Sequence, residues 1–271
     1  MTHTIASQGR AAGAVADAAE QHNGAGVRPL DPALPILSFV LRNYTNFNAR
    51  ATRDALVAYW RHLQAGGKMF WSLAGAMSSA QLGITLAPAI RAGLIHGLSV
   101  TGANLEESLF RLVAHKSYRD FPEYRYLTKD DDARILEARM RRVTDTSIPE
   151  DEAFRAVERS LVPLWTGASA RGERRFWHEY FYELVTSLEA SLHEGDPAAC
   201  WLLAAAEAKL PLVVPGYEDS TFGNIFASYV KTGTCQACTI GTASSRRARG
   251  CDSSRSAAAS PGTSPSAWFP P

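Results

Sequence analysis

Between Lys68 and His115 the chain alternates an apolar run with an amphipathic one twice over, and this alternation restricts the fold more than any other feature. Lys68 to Leu73 reads as a buried strand and Ser79 to Ala92 as a helix stopped at Gly93. Ile95 to Thr101 reads as a second strand and Asn104 to His115 as a second helix. A strand, helix, strand, helix series of this length is a βαβα unit with parallel strands. Asn104, followed three residues later by Glu107, has the form of a capping box in which both side chains serve the start of the second helix.

The flanks extend this unit. Apolar residues at helical spacing between Pro35 and Leu63, among them Leu56, Val57, Trp60 and Leu63, predict two helices that stop at Gly66-Gly67. Residues 130–194 are highly charged and helical in pattern. They predict a helical insertion that includes one helix from Asp130 to Val143 and a run opened by Pro149, with Glu150, Asp151 and Glu152 in its first turn. Asp196-Pro197 predicts a helix through Leu210, Leu212 to Val214 a short buried strand, and Ser220 or Thr221 the start of a helix to Val230. The expected fold class is therefore α/β: a Rossmann-like parallel sheet flanked by helices, with a helical insertion, incomplete towards the C-terminus.

Both ends differ in character from the middle. Residues 1–28 are rich in Ala, Gly, Gln and Ser without apolar periodicity, and are expected to be a disordered leader to a domain over 29–231. Residues 232–271 are loaded with Ser, Ala, Arg, Gly and Pro; the expectation is a disordered segment produced by a reading-frame change. Arg246, Arg247 and Arg249 would suit a basic nucleic-acid tail, but 28 basic against 27 acidic residues give the whole chain no steering field. Cys235 and Cys238 form a CxxC without a second ligand pair, and His115 and His178 lack partners at metal-ligand spacing, so no metal is expected. No apolar run reaches the roughly 18–20 residues of a membrane span and no signal-peptide pattern opens the chain, so a cytoplasmic location is the default. Phe176, Trp177, Tyr180, Phe181 and Tyr182 fall at helical spacing, which predicts packing rather than base stacking.

Four strings carry a resemblance to a known family: GKMFWSLAGAMSSAQLG (67–83), SVTGANLEESLFRLVAH (99–115), VTDTSIPEDEAFR (143–155) and LPLVVPGYEDSTFGNIFASYVK (210–231). Over residues 35–231 the chain resembles bacterial deoxyhypusine synthase-like proteins. The resemblance implies a Rossmann-like fold, a homo-oligomer that is tetrameric in the family, NAD as cofactor, and transfer of an aminobutyl group from a polyamine to an amine acceptor. Thr101, Gly102, Ala103, Glu107 and Asp219 match residues that contact NAD, and Gly75, Ala76, Met77, Ser78 and Ser79 match a further NAD-contacting loop. Glu106 and Glu107 match a polyamine-contacting pair, and Asn224 stands where an amine-binding aspartate is found.

That last departure points towards an amine transfer of the homospermidine synthase type. No catalytic residue is assigned, because the family's imine-forming lysine lies beyond the matched strings and neither Lys209 nor Lys231 sits in its motif. An inactive chain or a non-catalytic pseudoenzyme is thus the alternative expectation. From the residues themselves, Thr101-Gly102-Ala103 and Gly216 to Ser220 fall at strand-to-helix junctions, where small side chains and free N–H groups suit a phosphate-bearing ligand. Asp219 there also has the form of a helix N-cap.

Overall fold

The computed structural model describes residues 34–236. The expected leader, the basic cluster at Arg246, Arg247 and Arg249, Cys238 and most of the expected tail lie outside the described residues. Two helices, α1 (Pro35–Asn43) and α2 (Phe47–Gln64), precede strand β1 (Phe70–Leu73). Then follow α3 (Gly83–Arg91), β2 (Gly97–Val100) and α4 (Gly102–Val113), so the βαβα unit is present. After the insertion come α8 (Trp201–Glu207), β6 (Leu212–Val213) and α9 (Thr221–Lys231). The three strands form one parallel sheet in the order β1-β2-β6, with Phe70 opposite Gly97 and Leu98 opposite Leu212. With β2 central, all three carboxyl ends open on the same edge. The fold is α/β.

The insertion holds more than helices. Helix α5 (Lys129–Glu137) stops well short of Val143, and Met140–Val143 is instead strand β4. This corrects the single helix expected over 130–143. Arg139 adopts φ +58°, the left-handed conformation that ends a helix, and Thr144 repeats it at φ +58° in the two-residue turn to β5 (Thr146–Pro149). Strand β3 (Arg119–Asp120) pairs on the other side of β5, which gives a small antiparallel sheet in the order β3-β5-β4. A π-helical turn, Glu150–Arg155, then leads into α6 (Ala156–Ala170) and on to α7 (Trp177–Ser187).

The helix expected from Asp196 to Leu210 is also divided. Asp196 does cap a turn, accepting a hydrogen bond from Ala198 N at 2.8 Å, but Pro197–Ala199 is a separate 3₁₀ turn and α8 begins only after Cys200. Arg91 takes the carbonyls of Ala198 and Pro197 at 2.6 and 3.2 Å, which ties this turn to α3.

The core lies where α4, α6, α7 and α9 meet. Trp165 is fully buried, with its ring centroid 5.3 Å from Phe226 and 6.3 Å from Trp177. Trp177 stacks on Tyr217 at 4.0 Å, and Tyr180 and Phe181 are buried beside it, so the aromatic run on α7 is spent on packing. Helix α4 is enclosed on nearly all sides, and burial covers Asn104, Glu106, Glu107 and Ser108 together with Leu105 and Leu109. Four polar side chains in such surroundings need partners, and those partners build the site.

Candidate functional site at the strand ends

The loop after β1, the turn after β2 and the turn after β6 meet at the carboxyl edge of the parallel sheet. Thr101, at the end of β2, donates its hydroxyl proton to Gly75 O at 2.6 Å and accepts from Asn104 N at 3.2 Å. Thr101 is thus the N-cap of α4, which corrects the capping box expected from Asn104 and Glu107. Both of those side chains reach to the loop after β1. The Glu107 carboxylate accepts from Ser79 N at 3.1 Å, and the Asn104 carboxamide accepts from Ser78 N at 3.1 Å while donating to Gly75 O at 2.9 Å. A helix-start motif and a loop clamp draw on the same residue types, and tertiary partners decide between them.

On the other flank Gly102 touches the turn after β6. A Cβ at Gly102 would lie 2.3 Å from Ser220 Cβ, closer than any side chain tolerates, so glycine is what lets the starts of α4 and α9 come together. Glu106, 2% exposed, fastens the same seam by accepting from Phe222 N at 2.9 Å. Burial pushes its carboxyl up to about 7, against the hydrogen bond from Phe222 that pulls it down. Tyr217 is fully buried alongside; burial first and then the neighbouring Glu106 charge hold its phenol well above its ordinary range. Glu107 is raised as well, chiefly by burial, with the amide and side chain of Ser79 opposing.

Asp219 belongs to the 3₁₀ turn Tyr217–Asp219 and is exposed. It does not cap α9, as expected from sequence; Ser220 does, accepting from Gly223 N at 3.0 Å. Asn224 is exposed on α9, where its side-chain amide donates to Ser220 O at 2.9 Å. Gly75, Met77 and Asp219 are exposed, Ala76, Thr101 and Ala103 half-buried, and Gly102, Ser78 and Ser79 buried. Thr101 and Asp219 therefore stand on neighbouring strand ends of the same sheet edge.

Three contributors were not singled out from sequence. Arg111 donates from Nε and Nη2 to Ser79 O at 3.1 and 2.6 Å and lies 3.7 Å from the centre of the Tyr118 ring. Trp201 donates from Nε1 to Ser78 Oγ at 2.9 Å, across the chain from α8. Asn104 was read only as a cap. An arginine one helical turn after Glu107 is the one signal that could have pointed to the loop; Trp201 left none.

The main chain at the loop has the features a phosphate-bearing ligand needs. Gly75 has φ +68° and nothing within 4 Å of where a Cβ would be, which leaves open space at the loop. The N–H groups of Gly75, Ala76 and Met77 donate to no protein acceptor among the described residues. Free amides and an exposed carboxylate on the same edge of parallel strand ends suit phosphates and ribose hydroxyls respectively.

The comparisons with known proteins agree with the resemblance seen in the sequence. The family model described as deoxyhypusine synthase matches residues 40–243. A deoxyhypusine synthase-like protein of Thermosynechococcus vestitus is 25% identical over 224 residues, which cover 79% of this chain and 54% of that protein. One of the same description from a Cyanothece species is 26% identical over 211 residues, covering 76% of this chain and 50% of that protein. The chain thus spans about half the length of the curated relatives it matches.

Proposed function

Since this chain belongs to the deoxyhypusine synthase family, we propose that it is the nucleotide-holding part of an NAD-dependent transferase that moves an aminobutyl group from a polyamine to an amine acceptor. The observation that carries this reading is the meeting of three strand-end turns, fixed by Thr101 on Gly75 and by Gly102 against Ser220. In this proposal Gly75, Ala76, Met77, Ser78 and Ser79 face the cofactor on one side, and Thr101, Gly102 and Ala103 face it on the other. Asp219 would meet ribose hydroxyls, since an exposed carboxylate accepts from a diol. When bound, NAD would supply the hydride acceptor for oxidation of the carbon next to the amine.

Glu107 completes the proposed cofactor wall by holding Ser79 N in place. Glu106, Glu107 and Asn224 are proposed on the amine side, with assembly of several copies around the site. Asn224 carries no charge and its amide is engaged with Ser220 O. That favours putrescine, which carries fewer ammonium groups than spermidine, as the donor.

Binding and turnover are tested separately. Equilibrium dialysis of the full chain with NAD is expected to show saturable binding. Addition of putrescine or spermidine is then followed through the near-ultraviolet band of NADH. Binding together with amine-dependent reduction supports the transferase. Binding without reduction assigns the chain a non-catalytic role, and a folded chain that binds no NAD overturns the reading.

A further inference from the structure

Asn104 stands at the centre of the site without belonging to any cofactor-facing position assigned above. Its side chain is fully buried. Its Nδ2 lies 2.9 Å from Gly75 O, 3.0 Å from Thr101 Oγ1 and 3.3 Å from Ala74 O, acceptors that share its two N–H groups. Its Oδ1 accepts from Ser78 N at 3.1 Å, and its main-chain oxygen accepts from Ser78 Oγ at 2.7 Å. The partners fix which end of the carboxamide is which, because carbonyl oxygens can only accept and an amide N–H can only donate.

This pattern sorts the polarity of the loop. The carbonyls of Ala74 and Gly75 are drawn inward to Asn104, while the N–H groups of Gly75, Ala76 and Met77 have no protein acceptor among the described residues. A peptide carbonyl and the N–H it is bonded to point in opposite directions, so holding the carbonyls inward turns the following amides outward. We propose that Asn104 is a positioning residue that aims the amides of Gly75 and Ala76 at the phosphates of the bound nucleotide. This rests on the nucleotide reading above and assigns phosphate recognition at the loop to a side chain that does not touch the ligand. Only a side chain with a donor arm and an acceptor arm on one carbon can serve Gly75 O and Ser78 N together. Aspartate has the shape but not the donors, and its charge would oppose the phosphates.

The experiment compares NAD with adenosine, which carries no phosphate, on the full wild-type chain, N104D and N104S, with thermal unfolding as a check on folding. In N104D, NAD affinity is expected to fall about 30-fold or more, the scale of a lost pair of hydrogen bonds with an added like charge. Adenosine affinity is expected to change less than about threefold, within half of one hydrogen bond. N104S, which stays neutral, is expected to lose NAD affinity by a smaller factor, and it carries the test if N104D does not fold. Equal losses for both ligands would mark Asn104 as a general structural residue and overturn the proposal. Wild-type binding of NAD that neither variant weakens would overturn it too while leaving the nucleotide reading intact. No NAD binding by the wild type would sink both.

Discussion

The strand-end seam and the small antiparallel sheet both contain carboxylates, but they hold them in opposite ways. At the seam, Glu106 and Glu107 accept from main-chain N–H groups with serine, tyrosine and Arg111 side chains nearby, and burial still outweighs those partners and raises both. At the sheet, Glu150 is only 7% exposed, yet its cover is three arginines: Arg139, Arg141 and Arg155. Burial alone would raise Glu150, but the three guanidinium groups outweigh it and leave its carboxyl below the ordinary range. A small accessible area therefore says little about a carboxylate until the covering atoms are known. One region uses acids to hold main chain in place beside a ligand edge; the other uses them to tie strand to helix at the surface.

The severest way to break the contrast is at the seam itself. Gly102→Ala places a methyl group where Ser220 leaves no room, and is expected to cost about 3 kcal/mol in denaturant unfolding, at the upper end for overpacking. It should also abolish NAD binding by parting α4 from α9. A loss below about 1 kcal/mol would show that the seam can open freely.

The pH dependence sharpens the contrast. Glu106 has a folded value of about 7 against 4.5 when unfolded, so the stability it contributes is fully present below pH 4.5 and is lost as pH rises through 7. The loss is roughly 3 kcal/mol, and Glu106→Gln, which cannot ionise, should remove that part of the slope. Carboxylates beside the sheet carry the opposite sign. Asp131, held down to about 2 by hydrogen bonds from Thr128 and then Arg134, contributes stability above 3.8 that is lost as pH falls towards 2. Chemical unfolding of wild type and E106Q across pH 4–8 measures the first slope; identical slopes would mean Glu106 does not titrate in that window.

The smallest effect is expected at the sheet. Arg141→Ala should cost less than about 1 kcal/mol, because Arg139 and Arg155 remain on Glu150 and the Arg141 side chain is itself 45% exposed. A larger cost, seen as a clear drop in melting temperature, would mean that this sheet depends on its charges as the seam depends on its buried acids.

Legibility in the sequence follows the same division. The βαβα unit, the strand before Pro215 and the helix opened at Ser220 were readable because apolar period and capping residues are local signals. The turn of the antiparallel sheet was not. Arg139 and Thr144 take left-handed backbone without glycine or asparagine to announce it, so Met140–Val143 passed for the end of a helix. At the site, the strand-end turns were readable as neighbours on one sheet edge, but the capping roles expected of Asn104, Glu107 and Asp219 fall instead to Thr101 and Ser220. Asn104 and Glu107 reach loop residues 26–28 positions upstream, and no local pattern encodes that distance. Trp201 had no local signature for the same reason, whereas Arg111 offered only its place one helical turn after Glu107.

The close approach of Gly102 to Ser220 has an electrostatic consequence. It brings the first turns of α4 and α9, helices of 12 and 11 residues, to one corner of the sheet. Each helix start carries the equivalent of about half a positive charge from its aligned peptide dipoles, so two together approach one full charge. A chain of formal net charge +1 thereby gains a local attraction for anions that no basic side chain supplies. Because Glu106 holds Phe222 N at the start of α9, that attraction is strongest while the Glu106 carboxyl is protonated and weakens as it ionises.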